Sequence, residues 1–314
     1  MTAGTLRPLQ RVYRFFLHGA IRTGERLGLT VSRVKDYYSP LPVRAELLET
    51  RERWDRPSAL AGVEIDLEAQ RALHRELMDG WYEEYADLLP YDEAKALGYG
   101  PGFTIYDAMW LYLTMRRLKP RRYIEIGSGL STWYALQAFE RNAAEGSRCR
   151  ATAIDPYASG RTRTLEGLEI LDEPVQSTPL ERFAELEDGD VLFIDSTHVV
   201  KIDGDVPRLY LDVVPSLNPG VVVHAHDIHF PYNTPFPAEQ YIARAKWPYF
   251  WTEAMLLQAF LSGNRDFEIL LSGPLLRHHD EGFLRDTIPE YRAVEVGDHD
   301  THYGSLWFRR RPKG

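Results

Sequence analysis

Cysteine is almost missing from this chain: Cys149 is the only one in 314 residues. An intramolecular disulfide is therefore impossible, a cysteine-rich zinc site is excluded, and a reducing compartment is the expected setting. Long apolar runs are missing as well. No uninterrupted stretch approaches the roughly 20 residues that cross a bilayer. Arginines also continue through the N-terminal region where a secretion signal would have its apolar centre. A cytoplasmic protein without a transmembrane segment is expected. Net basic charge is the third absence, since 37 Lys and Arg face 46 Asp and Glu for a formal charge of −9. A chain of that sign is repelled by phosphate backbones, which argues against a nucleic-acid substrate.

One stretch runs against the overall charge. Arg7, Arg11, Arg14, Arg22, Arg26, Arg33 and Lys35 are accompanied by a single acid, Glu25, with Val12, Phe15, Phe16 and Ile21 interleaved at helical spacing. Such a helix covers its own core, docks on a second copy in a homo-oligomer, or makes peripheral contact with an anionic membrane.

What is present is enough apolar material for a sizeable core: hydrophobic residues make up 44% of the chain. Residues 1–100 read as a helical extension or lid, with Leu67, Leu73, Leu77, Trp81, Tyr85 and Leu88 on a helical period that Pro90 ends. Gly98-Tyr99-Gly100-Pro101-Gly102 then breaks the chain, and a core domain over 101–314 is expected to follow. There the pattern alternates. Strands are expected at Arg122–Ile126, Arg150–Ile154, Leu168–Leu171, Val191–Ile194 and Val221–His226, separated by helical stretches. That alternation specifies an α/β fold with a parallel sheet. Phe267–Leu271 and Ser305–Arg309 are expected to add an antiparallel pair at one edge.

The most informative segment is Glu125-Ile126-Gly127-Ser128-Gly129-Leu130-Ser131-Thr132, which leaves a strand and opens a helix. Its glycines let a ligand approach backbone amides that a Cβ would shield. A dinucleotide fingerprint needs a third glycine where Thr132 stands, so NAD is disfavoured. Glu125 disfavours it further: a carboxylate repels pyrophosphate, but not a sulfonium with an α-amino group. Asp155 ends the next strand, where it suits two ribose hydroxyls.

Taken with Ile154-Asp155-Pro156-Tyr157, Val175-Gln176, Leu192-Phe193-Ile194-Asp195-Ser196-Thr197-His198 and Gly220-Val221 with His226-Asp227-Ile228, this segment resembles motif I of class I S-adenosylmethionine-dependent methyltransferases. More narrowly, residues from about Tyr106 to Leu270 are similar to a bacterial methyltransferase-24-type family, with Phe250-Trp251, Glu253 and Leu256-Leu257-Gln258-Ala259-Phe260-Leu261 completing the matching pieces. The resemblance implies a Rossmann-like, seven-stranded methyltransferase sheet that binds S-adenosylmethionine. It implies that Gly127 and Gly129 pass the methionine moiety, that Glu125 supports their loop, that Asp155 holds the ribose and that Gln176 lies near the adenine. Ser128, Ser131, Thr132 and Asp195 complete the expected cofactor-binding set.

A second cluster lies at the ends of the fourth and fifth strands, where ligands of parallel sheets bind. Asp195, His198, His226 and His229 are the candidate catalytic groups, with one of the three histidines as general base, because a hydroxyl acceptor must lose a proton as it is methylated. Asp195 and Asp227, joined by His226, are alternatively candidate ligands for a divalent ion, Mg²⁺ or Mn²⁺ for oxygen donors and a transition metal if histidine joins them. His224 reads as a core histidine, and Phe230 to Pro237 as an aromatic wall for a small-molecule or glycan-type acceptor. Two other functions share these residues: a metal-dependent hydroxylase-like enzyme, and a non-catalytic nucleoside-binding module.

Overall fold

A computed structural model describes residues 6–30, 37–100 and 102–312. Arg33 and Lys35 of the basic stretch, the side chains of Arg7, Arg11 and Arg14, and Pro101 of the glycine-rich break lie outside the described residues. The chain divides into two compact units, residues 1–51 and 52–314. The first contains helix α1 (Leu6–Arg26) and helix α2 (Arg44–Glu49), and along α1 Val12, Phe15 and Phe16 are exposed. No helix among the described residues is long and apolar enough to cross a membrane.

The second unit starts at Glu52, so the break expected near residue 100 falls inside it. It opens with the rest of α3 (Arg51–Trp54), then α4 (Leu67–Ala86), α5 (Tyr91–Ala96) and α6 (Ile105–Leu118). Asp66 caps α4 by accepting from the Ala69 amide at 2.9 Å, and Thr104 caps α6 through the Asp107 amide at 3.2 Å. After α6 come β1 (Arg122–Ile126), α7 (Leu130–Ala144), β2 (Arg150–Ile154), β3 (Leu168–Leu171), α8 (Leu180–Ala184) and β4 (Val191–Ile194). Next are α9 (Asp205–Pro207) and α10 (Val214–Ser216), joined by a π-helical stretch, Arg208–Val213. β5 (Val222–Ala225), α11 (Glu253–Leu261), β6 (Phe267–Ser272), α12 (Gly273–Thr287) and β7 (Leu306–Arg310) complete it.

The strands form one seven-stranded sheet in the order β3-β2-β1-β4-β5-β7-β6, the methyltransferase sheet that the resemblance implies. β1 to β5 are mutually parallel, while β7 pairs antiparallel with both β5 and β6. The antiparallel pair expected at one edge is thus β7 and β6, with β6 outermost. Every residue of β4 and β5 is buried, as continuous apolar runs in central strands require. Successive side chains serve opposite faces. Tyr123, Phe193 and Val222 pack with Trp110, Tyr112 and Trp307 on one side; Ile124, Leu192 and Val223 pack with Leu209, Val213 and Leu257 on the other.

The order reverses between β1 and β4. β2 and β3 extend the sheet to one side of β1 and β4 and β5 to the other, which opens a crevice over the carboxyl ends of these strands. All of the polar clusters expected from the sequence sit at those ends.

Candidate functional site

The glycine loop is built by the strand it leaves. Gly127 has φ +89°, and its amide donates to the Ile154 carbonyl at 3.1 Å, which bends the chain over β2. A Cβ at Gly127 would stand 2.8 Å from the Asp195 carbonyl oxygen, so only glycine lets the loop lie this close to the end of β4. Thr132, where a dinucleotide site would want glycine, serves the helix instead. Its hydroxyl accepts from the Gly129 amide at 2.9 Å and closes the start of α7.

Glu125 lies beneath the loop, fully buried, and its Oε1 accepts from the Ser131 hydroxyl at 2.5 Å. Oε2 has no protein partner. Burial pushes its pKa up to about 8, against the pull of the Ser131 and Thr132 hydroxyls. One strand over, Asp155 accepts from Ser128 Oγ at 2.5 Å through Oδ2 and from the Tyr157 amide at 2.7 Å through Oδ1. Gln176 is turned to the loop after β4, where its Nε2 donates to the Asp203 carbonyl at 3.0 Å.

The sequence left Tyr99 unassigned. Its carbonyl lies 3.6 Å from where a Gly129 Cβ would stand and accepts from Thr162 Oγ1 at 3.3 Å, while Arg161 lies over its ring at 5.5 Å. The glycine-rich break thus folds against the glycine loop. Its composition signalled a turn, with nothing to say what the turn would cover.

On the other side of the crevice, Asp195, His198 and Asp227 bring one ligating atom each within 4.8 Å of one another. His198 Nε2 is 3.4 Å from Asp195 Oδ1 and 3.5 Å from Asp227 Oδ2. His226 Nδ1 faces the same two oxygens at 3.7 and 3.8 Å and has no hydrogen-bond partner, although the residue is buried. His198 and Asp227 both hold left-handed backbone, with φ of 60° and 57°. Non-glycine residues in that region store roughly 1–3 kcal/mol each, and such positions concentrate at functional sites. The strain is held in place: the His198 carbonyl accepts from the Thr252 and Glu253 amides at 2.8 and 3.1 Å, and Gly304 leaves room for the Asp227 backbone.

Each imidazole is fixed from behind by a buried carboxylate. His226 Nε2 donates to Asp107 Oδ2 at 3.1 Å, and His198 Nδ1 donates to Glu253 Oε2 at 2.7 Å. Asp107 also accepts from Thr104 Oγ1 at 2.9 Å and the Ser305 amide at 3.0 Å; Glu253 also accepts from Ser196 Oγ at 2.6 Å and Tyr210 at 2.7 Å. Burial alone would lower both histidines, but the surrounding carboxylates outweigh it and raise His198 to about 10 and His226 well above its ordinary value. Burial likewise works to raise Asp195, yet the two imidazoles hold it well below the usual carboxylate range. Asp227 is raised, chiefly by burial.

His229 is not in this group. It is buried beside Tyr241 and Trp251, with ring centroids at 5.8 and 6.3 Å, and burial followed by the charges of His302 and His226 lowers it to about 3. His224 is the core histidine that its place in β5 suggested, stacked on Phe193 and Trp307 at 4.4 and 3.8 Å with Nε2 2.8 Å from Ser305 Oγ. The aromatic wall needs correction. Phe230 is fully buried and offers no face, while the half-buried Tyr232 and Phe236 stack on each other at 4.2 Å with Arg277 over Phe236. Trp251 lines the cluster instead, 4.5 Å from the His198 ring. It precedes α11, and Trp247 upstream of it is exposed.

Residues 124–228 match the sequence model of the methyltransferase-24 family, described as a methyltransferase domain. An uncharacterized protein of Archaeoglobus fulgidus is 27% identical over 167 residues, 49% of this chain and 72% of that protein. Among solved structures, an O-methyltransferase from Bacillus cereus in complex with S-adenosylhomocysteine is 13% identical and has a TM-score of 0.41, with 78% of this chain and 100% of that one covered. The O-methyltransferase TomG from Streptomyces achromogenes, in complex with S-adenosylmethionine, is 14% identical with a TM-score of 0.38, covering 80% and 92%.

Proposed function

We propose that this chain, whose residues 124–228 match the methyltransferase-24 family model and whose strands form a seven-stranded sheet, is an S-adenosylmethionine-dependent methyltransferase acting on a hydroxyl oxygen of a small-molecule or sugar-containing acceptor. The observation that carries this reading is the placing of two polar groups on opposite sides of one glycine loop. Asp155 stands at the end of β2, and Asp195, His198, His226 and Asp227 stand at the ends of β4 and β5.

S-adenosylmethionine supplies an electrophilic methyl group when bound. Gly127 and Gly129 leave backbone room for its amino-acid end, Glu125 braces the loop through Ser131, and Asp155 accepts from ribose hydroxyls once Ser128 releases it. Gln176 borders the adenine side. On the acceptor side, Trp251 offers a ring face beside His198. Asp195 orients the hydroxyl, and His198 or His226, in its neutral form, takes the proton as the oxygen is methylated.

A divalent ion fits the same cluster. The unpartnered Nδ1 of buried His226 faces two partly exposed carboxylate oxygens, a donor set open to a cation. Asp195, Asp227 and His226 would hold the ion, which would lower the pKa of an acceptor hydroxyl.

The test is transfer of isotopically labelled methyl from S-adenosylmethionine to a panel of sugar and phenolic alcohols. Formation of S-adenosylhomocysteine together with a labelled ether is expected. Donor binding without transfer to any alcohol or to metabolite extract would favour the nucleoside-binding module. Oxidation that requires iron, an oxidant and a 2-oxo acid, with no use of the donor, would favour the hydroxylase-like enzyme.

A further inference from the structure

We propose that helix α1 lies on an anionic membrane surface, with its apolar side in the lipid and its arginines at the headgroups. The inference goes beyond the methyl-transfer reading and does not depend on it.

Three observations carry it. The first is the layout of the helix. Val12, Tyr13 and Phe16 fall along one side of α1, Leu27 continues that side at its end, and all four are more than half exposed. His18, Arg22 and Glu25 fall on the opposite side, and Arg7, Arg11 and Arg14 recur in the sequence in line with them. A helix that serves a globular core buries its apolar side, whereas α1 leaves its own uncovered. An apolar side opposite an arginine-rich one is the layout of helices that lie in a bilayer interface. Crossing is excluded for α1, which is not apolar enough to span a membrane.

The second observation is where the charge sits. Residues 1–35 hold 7 of the 37 basic residues and 1 of the 46 acids, a formal +6 that leaves −15 for the rest of the chain. An anionic bilayer repels the acidic remainder and attracts this segment alone. The same concentration of charge works against the other cover such a side could find, the α1 of a second copy, because two arginine-rich helices side by side repel each other.

The third is that α1 closes on itself. Gly28, with φ +72°, ends it by turning the Leu29 amide to the Gly24 carbonyl at 2.8 Å and its own amide to the Glu25 carbonyl at 3.1 Å. The helix belongs to the compact unit of residues 1–51, and the sheet belongs to the other unit. A helix with an uncovered apolar side is marginal in water, and lipid supplies the burial it lacks.

The experiment floats the full chain with vesicles of phosphatidylcholine alone and of phosphatidylcholine containing about 30% phosphatidylglycerol. Binding to the anionic vesicles should exceed that to the neutral ones on the order of 100-fold, each arginine at the surface being worth roughly fivefold. It should fall as salt rises from about 0.1 to 0.5 M. Arg22→Glu with Arg26→Glu should weaken it on the order of 100-fold, and Val12→Glu with Phe16→Glu should abolish it. All four side chains are exposed, so both variants should unfold at the parent's temperature. Should either fail to fold, the lipid and salt dependence of the unaltered chain decides. No binding, or equal binding to both vesicles, overturns the proposal. Anionic binding that survives Val12→Glu with Phe16→Glu also overturns it, since that is charge attraction without insertion. A chain that floats with neither vesicle and forms a dimer that the same variant dissociates overturns it in favour of a second copy.

Discussion

Ser128 Oγ and Asp155 Oδ2 are joined by a hydrogen bond of 2.5 Å across the crevice between β1 and β2. The acid proposed to hold the ribose is therefore already engaged by the glycine loop, and a nucleoside would share it with that hydroxyl or displace it. Asp155→Ala should weaken S-adenosylhomocysteine roughly 100-fold, the equivalent of two hydrogen bonds to a charged group. Ser128→Ala removes only the competitor and should leave binding as tight or tighter. Calorimetric titration of both variants separates the two roles.

Gly127 meets a double constraint, a left-handed φ of +89° and the Asp195 carbonyl 2.8 Å from any Cβ. Gly127→Ala should lower unfolding stability by about 1–3 kcal/mol and displace Asp195. Urea unfolding should show the loss as a lower midpoint. Gly129→Ala is the control: its Cβ would meet nothing nearer than 3.6 Å.

Glu125 gives the fold a dependence on pH. Burial raises its pKa from 4.5 to about 8, so between those values the folded chain binds more protons than the unfolded one. Its favourable contribution is complete below pH 4.5 and is lost as pH rises through 8. A tenfold difference in proton affinity between the two states is worth about 1.4 kcal/mol. Glu125→Gln, which stays neutral, should gain stability over the parent progressively from pH 5 to 8. Chemical denaturation at several pH values measures this, and a constant difference would contradict it.

His74 works in the opposite sense. It is buried between α4 and α6, accepts from the Trp110 indole N–H at 3.1 Å, and is lowered to about 4 by burial and then by Arg75. The unfolded chain binds more protons between pH 6.5 and 4, so stability should fall as pH drops through that window. His74→Gln should flatten this acid limb, with tryptophan fluorescence reporting unfolding.

The sheet was legible because its information is local. The strands at Arg122–Ile126, Arg150–Ile154, Leu168–Leu171 and Val191–Ile194 form as their apolar runs and flanking turns indicate. Asp195, His198, His226 and Asp227 were legible as polar groups following apolar strands, and the sheet does bring them together. Asp107 was not. At the third position of a helix it reads as a residue serving the cap, and its tie to His226 spans 119 positions. Glu253 reaches His198 across 55. Such pairings depend on how α6 and α11 pack on the sheet, which no local spacing encodes. The aromatic wall failed for the same reason: the sequence shows that rings are present, while packing decides which of their faces remain free.

The most direct test of the central claim is calorimetric titration of the full chain with S-adenosylhomocysteine. The account predicts one site per chain, saturating at micromolar ligand, with the heat lost in Asp155→Ala and kept in His226→Ala. No binding at millimolar ligand to a chain shown to be folded would contradict it.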